Sequence, residues 1–139
     1  MGLILDSSVL IAAEKKRLDL SRFFAAHPAD SFFIAAITVS ELLHGVARAQ
    51  PPARKKERSV FVEALLAKIE AVDFDAEVAR RHADLWASLE KLGQIIGPYD
   101  LLIAATALHY DHGLVTLNVA EFRRVTGLRL IDPAPFMVT

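Results

Sequence analysis

Short apolar runs alternate along this chain with segments of helical periodicity, and few architectures accommodate that alternation. Gly2–Leu5, Ser31–Ile37, Ala71–Phe74, His112–Leu117 (opened by Gly113) and Leu128–Asp132 read as strands. Helices are predicted from Ser7 to about Lys15, over Leu20–His27, over Val39–Ala47, from beyond Pro52 to about Ile69, over Ala76–Leu92 and over Tyr99–Tyr110. Pro28, the Pro51-Pro52 pair, Gly93, Gly97-Pro98 and Pro133 punctuate them. Strands alternating with helices must pair in parallel, because each crossover helix returns the chain to the same edge of the sheet. The expected fold is α/β: a three-layer α/β/α sandwich with a mostly parallel central sheet. In LLIAATAL (Leu101–Leu108) the late helix is apolar almost all round, so it should be sandwiched inside the protein.

The 139 residues are the size of one domain, spanning 1–139. An apolar fraction of 53% and a positive mean hydropathy suit a compact core and exclude disorder. No apolar run approaches the roughly 18–20 residues that cross a bilayer, so no membrane role is expected. Asp6 interrupts LILDSSVLIAA, which lacks a basic leader and does not read as a signal peptide. The absence of cysteine removes thiol chemistry and thiolate metal sites, and is compatible with a reducing cytoplasm. A net charge of −1 excludes a protein that coats nucleic acid by charge alone. Any such partner must meet a local patch. Arg48–Arg58 (RAQPPARKKER) is the candidate, and its alternative is a solvated loop and first helical turn.

Four acids stand where a strand ends or a helix begins: Asp6, Glu41, Asp100 and Glu121. In an α/β fold those positions gather at the carboxyl edge of the sheet, where ligand sites form. Each has a structural reading beside the functional one. Asp6 suits a helix N-cap, with Ser7 and Ser8 as further caps or as groups orienting a carboxylate. Thr38-Val39-Ser40-Glu41 matches a capping box. Asp100, just after Pro98, would be favoured by the helix dipole, yet it heads a buried helix and so needs a partner. Glu121 could belong to a surface turn with Thr116 and Asn118. Together, carboxylates drawn from four segments repel one another unless a cation sits among them, and an all-oxygen set favours Mg²⁺ or Mn²⁺ over zinc. His109 and His112 fit a helix C-terminus better than a metal site, and Trp86 fits the core or a helix contact better than a base-stacking platform. No Walker A, G-x-S-x-G or G-x-G-x-x-G sequence occurs.

ILDSS, TVSELLHG, YDLLIAATAL and VTLNVAEF, followed by LRLIDP, occur in an order that resembles the PIN-domain family, most closely the toxin ribonucleases of VapBC-type toxin–antitoxin modules. The resemblance spans essentially the whole chain. It implies that Asp6, Glu41 and Asp100 are catalytic, metal-binding acids, and that Ser7, Thr116 and Asn118 support them. At the fourth acid the family usually has Asp, whereas this chain has Glu121, one methylene longer. The implied activity is Mg²⁺- or Mn²⁺-dependent hydrolysis of RNA, structured RNA such as tRNA included. The implied partners are a cognate antitoxin over the acidic site and a second copy in a homodimer. Arg54, Lys55, Lys56 and Arg58 would guide RNA to the cleft or line a protein contact. Three other readings compete: a Mg²⁺-binding receiver domain, a PIN-like scaffold that binds without cutting, and a PIN nuclease of RNA processing outside any toxin module. A receiver expects an acidic pair by the first strand and a Lys closing the last, and neither is present.

Overall fold

The computed structural model describes residues 1–139. Five strands, β1 (Gly2–Leu5), β2 (Ser31–Ala35), β3 (Glu70–Val72), β4 (Gly113–Val115) and β5 (Leu130–Ile131), form one sheet in the order β3-β2-β1-β4-β5. Every neighbouring pair is parallel. The chain winds outward from β1 through β2 to β3, then crosses to the other side of β1 for β4 and β5. The winding therefore reverses between β1 and β4, and a crevice opens beyond their carboxyl ends.

Helices α1 (Ser7–Glu14), α2 (Leu20–Ala26), α3 (Ala36–Ala47), α4 (Pro52–Lys68), α5 (Ala76–Lys91), α6 (Pro98–His109) and α7 (Val119–Phe122) carry the crossovers. Alternation along β1 separates two cores, because successive side chains of a strand point to opposite faces. Leu3 and Leu5 pack with Val9, Leu10, Phe23, Leu42, Val62 and Leu65 on one face. Ile4 packs with Leu101, Ile103, Ala104, Leu114 and Phe122 on the other. The three-layer sandwich follows from this split. Helix α6 lies between α5 and the sheet, with Leu101, Ile103, Ala104, Ala105, Thr106 and Ala107 all buried. Its apolar circumference is explained by that position.

Some boundaries differ from those expected. Strand β2 ends at Ala35 instead of Ile37, and α3 begins at Ala36, three residues before the predicted Val39. Two small residues let the strand turn straight into the helix. The short α7 is not anticipated at all, since four residues carry no periodicity. Gly93 ends α5 as its sequence position suggests. At φ +66° it allows Gly93 N–H to reach Glu90 O at 3.0 Å and Gln94 N–H to reach Leu89 O at 2.9 Å, a Schellman closure.

Candidate active site

The crevice beyond β1 and β4 holds a buried carboxylate. Asp6 follows β1 directly, is 2% exposed, and is stitched to β4 by its N–H, which donates to Val115 O at 2.9 Å. It occupies the N-cap position of α1, but its carboxylate makes no capping bond. Instead Oδ2 accepts from Ser8 Oγ at 2.8 Å and from Thr116 Oγ1 at 2.7 Å. Oδ1 is buried without a hydrogen-bond partner. Ser8, rather than the expected Ser7, is thus the serine that orients Asp6, because successive residues of a helix point about 100° apart.

The segment after β4 supplies the other supports. Thr116 is fully buried, and its Oγ1 also accepts the Asn118 N–H at 2.9 Å. Ser8 Oγ accepts the Leu117 N–H at 3.2 Å. Asn118 stands at the N-cap of α7, where its Nδ2 donates to Glu121 Oε2. Glu121 Oε1 accepts the Gly97 N–H at 2.8 Å. The additional methylene of Glu121 thereby ties α7 to the start of α6, where Gly97 is the N-cap. Gly97 is a site residue that sequence reasoning missed; only the Gly-Pro step before Asp100 marked it.

Glu41 stands in the second turn of α3, so the capping-box expectation is corrected. Ala35 is the N-cap and no side chain caps the helix. Thr38 faces inward, fully buried, with its hydroxyl unpaired. The box fails because α3 starts early, which carries Thr38 into the helix and frees Glu41 for the crevice. Glu41 Oε1 is also buried without a partner. Burial, followed by the charge of Asp6, pushes the Glu41 carboxyl up, and the Ser7 hydroxyl works against them.

Asp100 is the third residue of α6, behind Pro98 at its first position. Its carboxyl is pushed up to about 7, first by burial, then by a hydrogen bond with Glu121 and by the charges of Asp6, Glu121 and Glu41. Glu121 moves the other way, below the usual carboxylate range, because the Gly97 N–H holds its charged form. Of this pair Asp100 is the carboxyl pushed towards its protonated form and Glu121 the one held ionised, since Glu121 accepts the Gly97 N–H.

Asp6, Glu41 and Glu121 thus all act on Asp100 across the crevice. No three His, Asp or Glu side chains close into a ready coordination cage. The donor set nevertheless fits a hard divalent cation. It is all oxygen, and the carboxylates of Asp6 and Glu41 each present a buried oxygen that no protein donor satisfies.

The remaining candidates fall elsewhere. Arg54, Lys55 and Lys56 lie exposed in the first turns of α4. Arg58 turns back to pair with Glu14 at 2.6 Å and lines a cleft with Ser7 and Glu41. His112, just before the start of β4, stacks on Phe33 with ring centroids 4.8 Å apart. Trp86 is half exposed on α5 beside His82, instead of being packed in the core. No helix is long and apolar enough to cross a membrane.

The PIN domain profile matches residues 3–128. Ribonuclease VapC1 of Rickettsia felis is 33% identical over 131 residues, covering 94% of this chain and 96% of the relative. A tRNA(fMet)-specific endonuclease VapC of Shigella flexneri is 34% identical over 99 residues, 71% of this chain and 73% of that protein. A chain in the structure of VapBC2 from Rickettsia felis bound to a DNA fragment from their promoter superposes with a TM-score of 0.86 at 29% identity, covering 95% of this chain and 98% of that one. The receiver reading falls with these matches. Parallel topology, an acid at the winding reversal and similarity along nearly the full length agree: the chain belongs to the PIN-domain family, in its VapC ribonuclease branch.

Proposed function

We propose that this VapC-type ribonuclease is the toxin of a type II toxin–antitoxin module and hydrolyses RNA phosphodiester bonds with Mg²⁺ or Mn²⁺ held by Asp6, Glu41 and Asp100, Glu121 assisting. The observation that carries the reading is the pair of unsatisfied buried oxygens, Asp6 Oδ1 and Glu41 Oε1, facing one acidic crevice. When bound, a divalent ion supplies a water of lowered pKa and stabilises charge on the phosphate oxygens. The chain does the rest. Ser8 and Thr116 hold Asp6 in one orientation, leaving Oδ1 as its free donor. Glu121 holds the first turn of α6 through Gly97, and so holds Asp100. A carboxylate of the set, Asp6 or Asp100 in its ionised form, is the acceptor for the proton of an attacking water.

RNA as substrate, with tRNA the leading candidate, is supported by the activity named for the Shigella relative. The VapBC2 structure supports a cognate antitoxin as partner. Homodimerisation and a cytoplasmic location complete the proposal.

The test is to map RNA ends in host cells after induction, comparing the wild type with Asp6→Asn. Hydrolysis by water leaves 5′-phosphate and 3′-hydroxyl ends, and new discrete ends of that kind are expected with the wild type alone. Cyclic 2′,3′-phosphate products would exclude the mechanism. Identical RNA from both folded, antitoxin-free proteins would instead make the domain a non-cutting scaffold.

A further inference from the structure

The acidic crevice explains cleavage but repels the strand to be cleaved. Its neighbourhood offers compensation. A cleft of about 230 Å³ between α1, α3 and α4 is lined by Ser7, Glu41, Glu14, Lys15, Arg48 and Arg58. A wider groove of about 580 Å³ continues from it, sharing Glu14, Lys15 and Arg58 and adding Lys16, Arg54, Phe61 and the acid Glu57. The two form one path from an active-site acid to a basic rim.

Resting on the ribonuclease reading above, we propose that this path seats the RNA phosphates flanking the scissile one, with Arg48 and Arg58 nearest the metal site and Arg54 and Lys16 further out. Arg58 is built for the task. Its Nε donates to Glu14 at 2.6 Å and its Nη1 to Gly45 O at 3.3 Å, which fixes the guanidinium plane. A guanidinium has five N–H donors, so the remainder stay free for a phosphate. Glu14 is neutralised by that pairing. Lys15, Lys16, Arg48 and Arg54 form no ion pair with any carboxylate, and they outnumber the unpaired acids Glu41 and Glu57, so the path keeps a net positive charge. Its excess of cations over carboxylates and its continuity with Glu41 favour the polyanionic substrate strand as occupant.

The inference divides the basic run of α4. Arg54 and Arg58 line the path, while Lys55 and Lys56 line neither part of it. Lys55 turns away to the carbonyl of Ala47 at 3.4 Å. Net charge alone would weight the four cations equally; this geometry does not.

The experiment measures binding of host total tRNA by fluorescence anisotropy as a function of salt, in an Asp6→Asn background that prevents cleavage. Arg48→Gln, Arg58→Gln and Arg54→Gln are expected to weaken binding about fivefold or more. Each should also flatten the log–log salt slope by about 0.7, the value per single-strand phosphate contact. Lys55→Gln and Lys56→Gln are expected to stay within twofold. In the otherwise wild-type chain, Mn²⁺ affinity should be unchanged by the arginine substitutions. A Glu14→Gln/Arg58→Gln double variant controls for an unpaired Glu14, and must lose as much as Arg58→Gln alone. Equal losses at all four α4 cations would overturn the path in favour of diffuse attraction. Unchanged tRNA affinity with weakened antitoxin binding would overturn it in favour of a protein interface. Failure of the unsubstituted protein to cut any cellular RNA would count against the ribonuclease reading itself, a distinct result.

Discussion

Thr116 Oγ1 donates to Asp6 Oδ2 at 2.7 Å across 110 residues of chain, both side chains being buried where the sheet reverses its winding. Thr116→Val keeps the shape but removes this donor and the acceptor of the Asn118 N–H. Hydrogen bonds to charged groups contribute ~1.5–3 kcal/mol, and a loss of about that size is expected in denaturant melts. Cleavage should fall roughly tenfold or more, which corresponds to ~1.4 kcal/mol of barrier. Thr116→Ser should retain most of both. If Val and Ser behave alike, the hydroxyl does not orient Asp6.

Glu41→Gln removes charge from a carboxyl that burial and Asp6 already oppose. The expected outcome is opposite for stability and function. The metal-free melting temperature should hold or rise, while Mn²⁺ affinity by calorimetry falls at least tenfold. Unaltered Mn²⁺ affinity would remove Glu41 from the metal-binding set.

Asp100 makes stability depend on pH with a definite sign. Its unfolded value is 3.8 and its folded value about 7. Between them the folded state binds more protons, so this contribution is fully present below about 4 and is lost as pH rises through about 7. Glu41, also raised, acts in the same direction. Glu121, whose carboxyl is lowered, loses its contribution as pH falls below about 4.5. His112, lowered by burial, loses its own as pH falls below about 6.5. Comparison with Asp100→Asn isolates the Asp100 effect. In EDTA the variant should melt above the wild type at pH 7.5, with the gap closing towards pH 4. A gap independent of pH would contradict the raised carboxyl.

Glu121→Asp restores the acid usual in the family yet shortens the link to Gly97. Losing one such bond costs ~0.5–1.5 kcal/mol, and the Gly97 amide should exchange faster in hydrogen-exchange NMR. Activity should drop several-fold as the first turn of α6 loosens around Asp100. A gain in activity with unchanged Gly97 protection would mean that Glu121 acts on the metal directly.

Phe23 is fully buried on α2, with Phe136, Phe32 and Phe24 around it in edge-to-face contacts whose centroids lie 5.4–6.2 Å away. Phe23→Ala should cost about 3–5 kcal/mol in chemical denaturation. Mn²⁺ affinity of the still-folded fraction should be unaffected, because the acids lie beyond the strands' carboxyl ends. A loss below about 1 kcal/mol would mean that the neighbouring rings refill the space.

The alternation of strand and helix, the burial of LLIAATAL and the gathering of Asp6, Glu41, Asp100 and Glu121 at one edge were all legible from residue order. These are properties of period and position, which local chain chemistry encodes. Where neighbours compete, the residues alone misled. Thr38 and Glu41 have capping-box spacing, but the chain enters α3 two residues before Thr38. The four cations of α4 look equivalent in sequence, yet Glu14 selects Arg58 from a distant helix.

By itself the sequence determined which residue types reach the sheet's carboxyl edge, because strand and helix periodicities place them there regardless of what they meet. Tertiary structure alone decided what each does on arrival. Ser8 and Thr116 saturate one oxygen of Asp6, Gly97 takes one of Glu121, and two buried oxygens are left over. Hydrogen-bond directionality and the repulsion of like charges act over a few ångströms between segments far apart in the chain, and only the folded arrangement sets those distances.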